Sequence, residues 1–280
     1  MEKLLGADHP FVLWLAGLHP ILPDVTGNIL EETGYYIAFT LAAFFAIWWL
    51  FEPNLRARKI RKSTPPAKQM IWEFLFSIRA VVIFISTGVI IFDVIGVQTP
   101  FFYRQWDLYG EAYWYLSVLL GVIWHDTYFY WMHRLYHTKA FYKISHLRHH
   151  RSQNPTPFTA YSFSLIEATT EYGFIPLMSC LFPVSGSAIF WVIMIMLAKN
   201  VTAHCGYELF PKGATRHWFW GHFTTVTHHD MHHGNGGGNY GLYFIWWDRL
   251  MGTEHKNYHA RFDTVTTRGE RKLDNGAVTA

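Results

Sequence analysis

Uncharged stretches of membrane length alternate along this chain with polar segments rich in histidine. Tyr35 to Phe51 runs without a charge, close to the ~20 apolar residues that hydrocarbon thickness asks of a helix. Phe74 to Val97 carries Arg79 and Asp93, each near enough to an end to reach the interface. Ala112 to Trp131 is apolar as far as Trp124 and then meets His125 and Asp126, so a helix here is expected to rise out of the bilayer as the stalk of a site. Phe163 to Phe182 and Ser187 to Ala203 predict a tight hairpin punctuated by Pro183 and Gly186. Glu167 and Glu171 weaken the first arm, because an ionised carboxylate in hydrocarbon is costly unless it faces protein or water. The pattern predicts an all-α integral membrane bundle of four to five spans, the short hairpin included, under a histidine-rich helical cap.

The loops give this bundle a direction. Arg56, Arg58, Lys59, Arg61, Lys62 and Lys68 lie between the first two spans and mark that loop as cytoplasmic. Gln98 to Glu111 has only Arg104, so the third span returns toward the cytoplasm and delivers residues 125 to 160 there. A hairpin adds two crossings, which brings His204 onward to the same face. The run Phe11 to Leu22, with His19 and Pro20, lacks a basic n-region and reads as an interfacial helix, not a signal peptide. No internal repeat is evident, and the polar tail from Arg261 to Ala280 is expected to be loose.

Composition sharpens the picture. Aromatic residues make up 19% and charged residues only 15%, unusual for a soluble domain. The mean hydropathy of +0.07 requires a polar part beside the spans. A net charge of +3, scattered along the chain, gives no reason to propose nucleic acid as a partner. With only Cys180 and Cys205 there is no disulfide framework, and a reducing compartment is compatible.

The candidate chemistry lies in the 17 histidines. Three compact groups stand out: His133 and His137; His146, His149 and His150; His229, His232 and His233. Four-residue spacing puts a helical pair on one face, and each group is expected to aim at one point. Clustered imidazoles cannot all be protonated, and neutral imidazole is a common ligand for zinc, iron and copper. A single tetrahedral zinc takes four ligands, so this surplus favours a dinuclear centre. His204, directly after a span, is a further candidate ligand, while His217, His222 and His228 have no assigned role beyond interface or hydrogen-bonding neighbours. Asp126 lies two turns before His133 and is expected to orient it; Glu208 and Asp230 are candidates for the same supporting role.

The string HRLYHTKAFYKISHLRHH at 133–150 resembles the first two histidine boxes of the fatty acid hydroxylase and sterol desaturase superfamily. The likeness continues through Asp126, NPTPFTAYSF at 154–163, AHCGYELFP at 203–211, HHDMHH at 228–233 and NYGLYFIWWDRLMGT at 239–253. It covers about residues 115 to 255. The resemblance implies a fatty acid hydroxylase-like domain over 112–260, preceded by an N-terminal part (1–111) with the first two spans and followed by a tail (261–280). It implies an oxygen-dependent, non-haem di-iron enzyme that hydroxylates or desaturates an unactivated C–H position of a fatty acyl, sterol or carotenoid lipid. The implied ligands are His133, His137, His146, His149, His150, His204, His229, His232 and His233. Ser164 stands where sterol C-5 desaturases usually carry histidine, a departure from a strict sterol desaturase pattern. Electrons are expected from a separate carrier of cytochrome b5, ferredoxin or reductase type. The alternatives are a non-catalytic membrane metal carrier and, among enzymes, a dinuclear hydrolase or isomerase needing no reductant.

Overall fold

The computed structural model describes residues 22–268; the expected interfacial helix at 11–22 falls almost wholly outside them. The first helix, α1, runs Leu22–Phe45 and continues as a π-helical turn to Leu50. Helix α2, Ala67–Val89, extends in the same way to Val94, and α3 spans Glu111–Tyr136. Single turns α4 (Tyr142–Ser145) and α5 (Leu147–His150) carry the second histidine box. There follow α6 (Leu165–Glu171), α7 (Phe174–Leu181), α8 (Gly186–Ala203), α9 (Val226–Asn235), α10 (Trp246–Leu250) and α11 (Tyr258–Thr266). Strand structure is confined to a two-residue parallel pairing of Phe102–Tyr103 with Val184–Ser185 and to isolated bridges.

Among the described residues, three helical segments are both long and apolar enough to cross a membrane: Val25–Leu50, Ala67–Val94 and Gly186–Ala203. Helix α3 has comparable length, 26 residues, but His125 and Asp126 interrupt its apolar stretch. The segment read as one span from Phe163 to Phe182 is broken instead. Ser164 caps α6 through its side chain, and Pro176 has no N–H to give to the Tyr172 carbonyl, so the helix restarts at Phe174. Its path nevertheless crosses antiparallel to α3. Tyr128 and Tyr136 both donate to or share a hydrogen with Thr170, Trp124 Nε1 reaches the Phe174 carbonyl (3.0 Å), and Tyr113 reaches Pro183 (2.9 Å).

Helix α8 then turns back beside α3 in the same direction, started by Ser185, whose hydroxyl accepts from the Ala188 N–H, and tied by Trp114 Nε1 to Ser187 (2.9 Å). Both helices therefore deliver their C-terminal histidines, His133 and His204, to one end of the bundle. Tyr36, Ala80, Val81, Tyr161, Phe163 and Leu197 form the core that joins α1, α2 and α8 to the stretch after the second histidine box. That stretch is pinned from three helices. Tyr36 and Ser77 both donate to the Phe158 carbonyl (3.0 Å each), Arg79 to Phe163 (2.6 Å), and Asn200 to Ala160 (2.9 Å).

The tail is shorter than expected. Helix α11 carries the chain through Thr266 and buries Phe262 and Val265, because its apolar positions three apart fall on the face turned to α9. Residues beyond 268 lie outside the described part.

Where α3 meets α7 and α8, a Cβ on Gly121 would stand 2.6 Å from Val192 Cγ2 and 3.2 Å from Met178 Sδ. Gly121→Leu is expected to destabilise the bundle by roughly 1–3 kcal/mol through overpacking. Gly34→Ala, at a helical site with nothing near its Cβ, should be neutral. Thermal melting in detergent checks both.

Candidate metal centre

The nine histidines expected as ligands all meet, but not box by box. His133, His137, His146, His150 and His232 form one group; His149, His204, His229 and His233 form the other. Within each group the nearest ring nitrogens lie within 4.8 Å of one another. The second and third boxes are each split between groups. At roughly 100° per residue, His146 and His150 share a helical face while His149 diverges, and His229 and His233 share one that His232 leaves. Two adjacent nitrogen clusters are thus assembled from interleaved spacings.

The inner nitrogens face one another. His133 Nε2 is 3.0 Å from His146 Nε2, and His232 Nε2 is 2.9 Å from that of His150 and 3.1 Å from that of His137. In the second group, His204 Nε2 lies 2.9, 3.1 and 3.2 Å from Nε2 of His229, His233 and His149. On the outer side, Nδ1 of His133 meets the Tyr240 carbonyl (2.9 Å), His232 the Gly238 carbonyl (2.8 Å), His204 the Asn200 carbonyl (2.7 Å) and His146 the Glu167 carboxylate (2.6 Å). Each of these Nδ1 atoms donates its hydrogen, so the paired Nε2 carries a lone pair. Lone pairs facing at about 3 Å repel unless a cation lies between them. Those separations also match the edges of a polyhedron of nitrogens about 2.1 Å from a transition metal. The donor set therefore fits metal.

Burial sets the charge state. Loss of water is the largest cause in each case and holds the imidazoles neutral: His133 falls to about 3, His137 to about 2, His150 and His204 to about 4. His146, His149, His229, His232 and His233 are pushed well below the usual histidine value, their neighbours' potential charges adding to burial.

The three carboxylates expected to support histidines do other work. Asp126 Oδ1 accepts from the N–H groups of Tyr243 (2.8 Å) and Phe244 (3.2 Å), because the loop after residue 239 occupies the face of α3 that it addresses. Glu208 takes the Phe210 and Thr227 N–H groups, the latter an orphan donor in the first turn of α9. Asp230 pairs with Arg61 at 2.6 Å, since its helical position turns outward from the histidines flanking it. Glu167 is the carboxylate that meets an imidazole, a role the sequence reading passed over. Its seven-residue helix runs past α4, and contact between those elements was the missing signal. His217 and His222 stay on the surface, and His228 faces Asp248 at 3.4 Å outside both groups.

An apolar cavity of about 70 Å³ lies among Val81, Phe84, Phe129, Phe174, Ile193 and Met196. A second, much smaller one is lined by His133, His146, His149, His204 and His229. Phe129, Phe163, Glu171 and Asn200 border both, so the apolar cavity lies against the one on the histidines.

Geometry of this kind defines a membrane protein with a buried histidine centre beside an apolar pocket. The fatty acid hydroxylase family model matches residues 118–253. The chain is 32% identical over 252 residues to methylsterol monooxygenase 1 of Rattus norvegicus, covering 88% of this chain and 82% of that protein. It is 31% identical to a C-4 methylsterol oxidase of Candida albicans (81% and 76% covered). A Delta(7)-sterol 5(6)-desaturase of Gibberella zeae is 25% identical (81% and 68% covered). No solved structure matches. The chain belongs to the fatty acid hydroxylase and sterol desaturase superfamily and is an oxidoreductase. The non-catalytic carrier alternative is left without support.

Stripped of metal by chelator, the protein should lose stability as pH falls. The folded histidines titrate below the unfolded value near 6.5, so protons bind the unfolded chain first. Stability is fully present above about pH 6.5 and declines toward pH 4, by up to roughly 1.4 kcal/mol per pH unit for each buried imidazole. Melting curves from pH 7.5 to 5 check this, and a flat profile would contradict the burial.

Proposed function

We propose that this protein is an iron- and oxygen-dependent monooxygenase that hydroxylates a C–H position, a ring methyl group foremost, of a sterol-class membrane lipid. The observation that carries the reading is the apolar cavity set against the histidine floor, the two sharing Phe129, Phe163, Glu171 and Asn200 as lining. The names of the relatives support the sterol class over fatty acyl chains and carotenoids, and favour hydroxylation over desaturation. Ser164, spent here as the N-cap of α6, supports the same choice.

The five-histidine and four-histidine groups would each hold one iron, giving a di-iron centre with all nine histidines as ligands. Bound iron supplies the oxygen activation that alkyl C–H cleavage needs and acid–base side chains cannot provide. The chain's own residues do the rest. Carbonyls of Gly238, Asn200 and Tyr240, together with Glu167, fix three rings and the fourth at His146 in the tautomer that turns Nε2 inward. Phe84, Phe174 and Ile193 exclude water around the lipid body, and Phe129 and Phe163 narrow the passage so that one carbon reaches the floor.

The basic loop at 56–62 packs against the histidine cap, with Glu208 N donating to the Arg58 carbonyl (3.0 Å) and Ile60 N to Gly206 (3.0 Å). Cap and basic loop therefore share one side, which supports a cytoplasmic site. Electrons would come from a separate carrier on that side. The domain limits proposed are 1–111, 112–260 and the remainder.

Purified protein should hold two irons per chain and, with reductant and oxygen, convert a methylsterol to a product about 16 mass units heavier by mass spectrometry. His149→Ala and His232→Ala should abolish turnover and lower bound iron while leaving membrane insertion intact. Full activity in either would sink the ligand assignment. Glu167→Ala should weaken iron binding roughly 10–100-fold, read by competition with a chelator.

A further inference from the structure

The cap reaches down onto the helices that carry it. Asp126 lies seven residues before His133, about 10 Å away along α3, where the apolar stretch ends. The backbone at Tyr243 and Phe244 is bound to that carboxylate, and Trp247 Nε1 reaches Thr127 (3.2 Å) at the same level. Phe223 bridges Phe244, Ile245 N donates to the His222 carbonyl (3.0 Å), and Lys199 of α8 donates to the Thr224 carbonyl (2.8 Å). Residues 217–224 and 243–251 thus hang beside α3 and α8 where their apolar stretches end.

What they turn outward is aromatic. Trp218 is 80% exposed and Leu250 70%, with Phe219, Trp220 and Trp246 each above 40%. The aromatic rings form one connected surface through Trp218–Phe219 (5.7 Å), Phe219–Phe223 (5.4 Å), Phe223–Phe244 (5.5 Å) and the stacked pair Phe244–Trp246 (4.1 Å). Arg216 and Arg249 border it, each held by a carboxylate, Asp263 (2.8 Å) and Glu254 (3.1 Å), and both line a shallow groove with His217, Trp218 and His222. Large aromatics rimmed by cations are the side chains that settle at the boundary between acyl chains and phosphates.

We propose that the segments around Trp218 and Trp246–Leu250 form an aromatic keel embedded in the lipid interface on the histidine side of the membrane, with Arg216 and Arg249 at phosphate level. The occupant is lipid, because the exposed surface is aromatic and joins α3 and α8 where their apolar stretches end.

Spin labels read this directly. In a Cys180→Ser background, which removes the exposed thiol and keeps buried Cys205, Trp218→Cys and Leu250→Cys are labelled separately in the full chain. Both sites are mostly solvent-accessible, so neither label displaces core packing. The labelled proteins are reconstituted in phosphatidylcholine–phosphatidylserine vesicles. Leu119→Cys on α3 serves as the hydrocarbon reference and Lys139→Cys as the aqueous one. Oxygen collision should exceed collision with a water-soluble nickel chelate several-fold at both sites, as at Leu119. Chelate access equal to that at Lys139 would overturn the keel. So would shielding from both relaxants with spin–spin broadening, which would identify a second copy of the chain as the occupant.

Discussion

Nine imidazoles removed from water together, with their inner lone pairs turned toward one another, are the constraint around which this protein is organised. Burial forbids their protonation, and facing lone pairs forbid hydrogen bonds among them. Such an arrangement can persist only if the inner space is given to a cation and the rings are held in place around it. Four of the nine are held at Nδ1, by backbone carbonyls at Gly238, Tyr240 and Asn200 and by the carboxylate of Glu167. Carbonyls serve well because they accept without bringing a second charge into the buried space.

Those acceptors come from elements far apart in sequence, and this explains why the membrane helices matter to the chemistry. Asn200 sits on α8, where its carbonyl accepts from His204 while its side chain binds the Ala160 carbonyl. Glu73 on α2 accepts from Thr156, and Tyr36 on α1 donates to Phe158. The stretch after the second box is therefore clamped to all three apolar helices, and the lipid cavity forms between them and α3. The same contacts that hold the histidines in register also build the walls above them.

Much of this could be read in the sequence, because histidine periodicity and apolar run length are local signals. The bundle, eight of the nine clustered histidines and the single end on which they gather follow from spacing and loop charge, with His204 a candidate by its place after a span. Three things were illegible. The break at Gly173–Phe174 depends on one missing N–H at Pro176 inside an otherwise apolar run. The exchange of histidines between groups depends on how three helical pieces pack, which no single box reveals. The carboxylate roles depend on which loop covers which helical face: Asp126 was read from helical geometry alone, and its partner is a loop 117 residues away.

That loop links the attachment of the cap to ring orientation. Gly238 and Tyr240 hold His232 and His133, and three residues later Tyr243 and Phe244 are fastened to Asp126 where the apolar part of α3 ends. Asp248 closes the segment by accepting from the N–H groups of Tyr240 (2.9 Å) and Gly241 (2.8 Å) and from the Thr253 hydroxyl (2.7 Å). A Cβ at Gly238 would run into the Thr253 carbonyl, so glycine is required where this chain passes between box and clamp. A short segment thus sets the direction of two rings and the place on α3 to which the cap is fastened. Under the proposed reading, in which the substrate is a membrane lipid, these two quantities would have to be fixed together. The reactive carbon would arrive at a height decided by the membrane, and the floor that receives it would be held by the same loop that orients its rings.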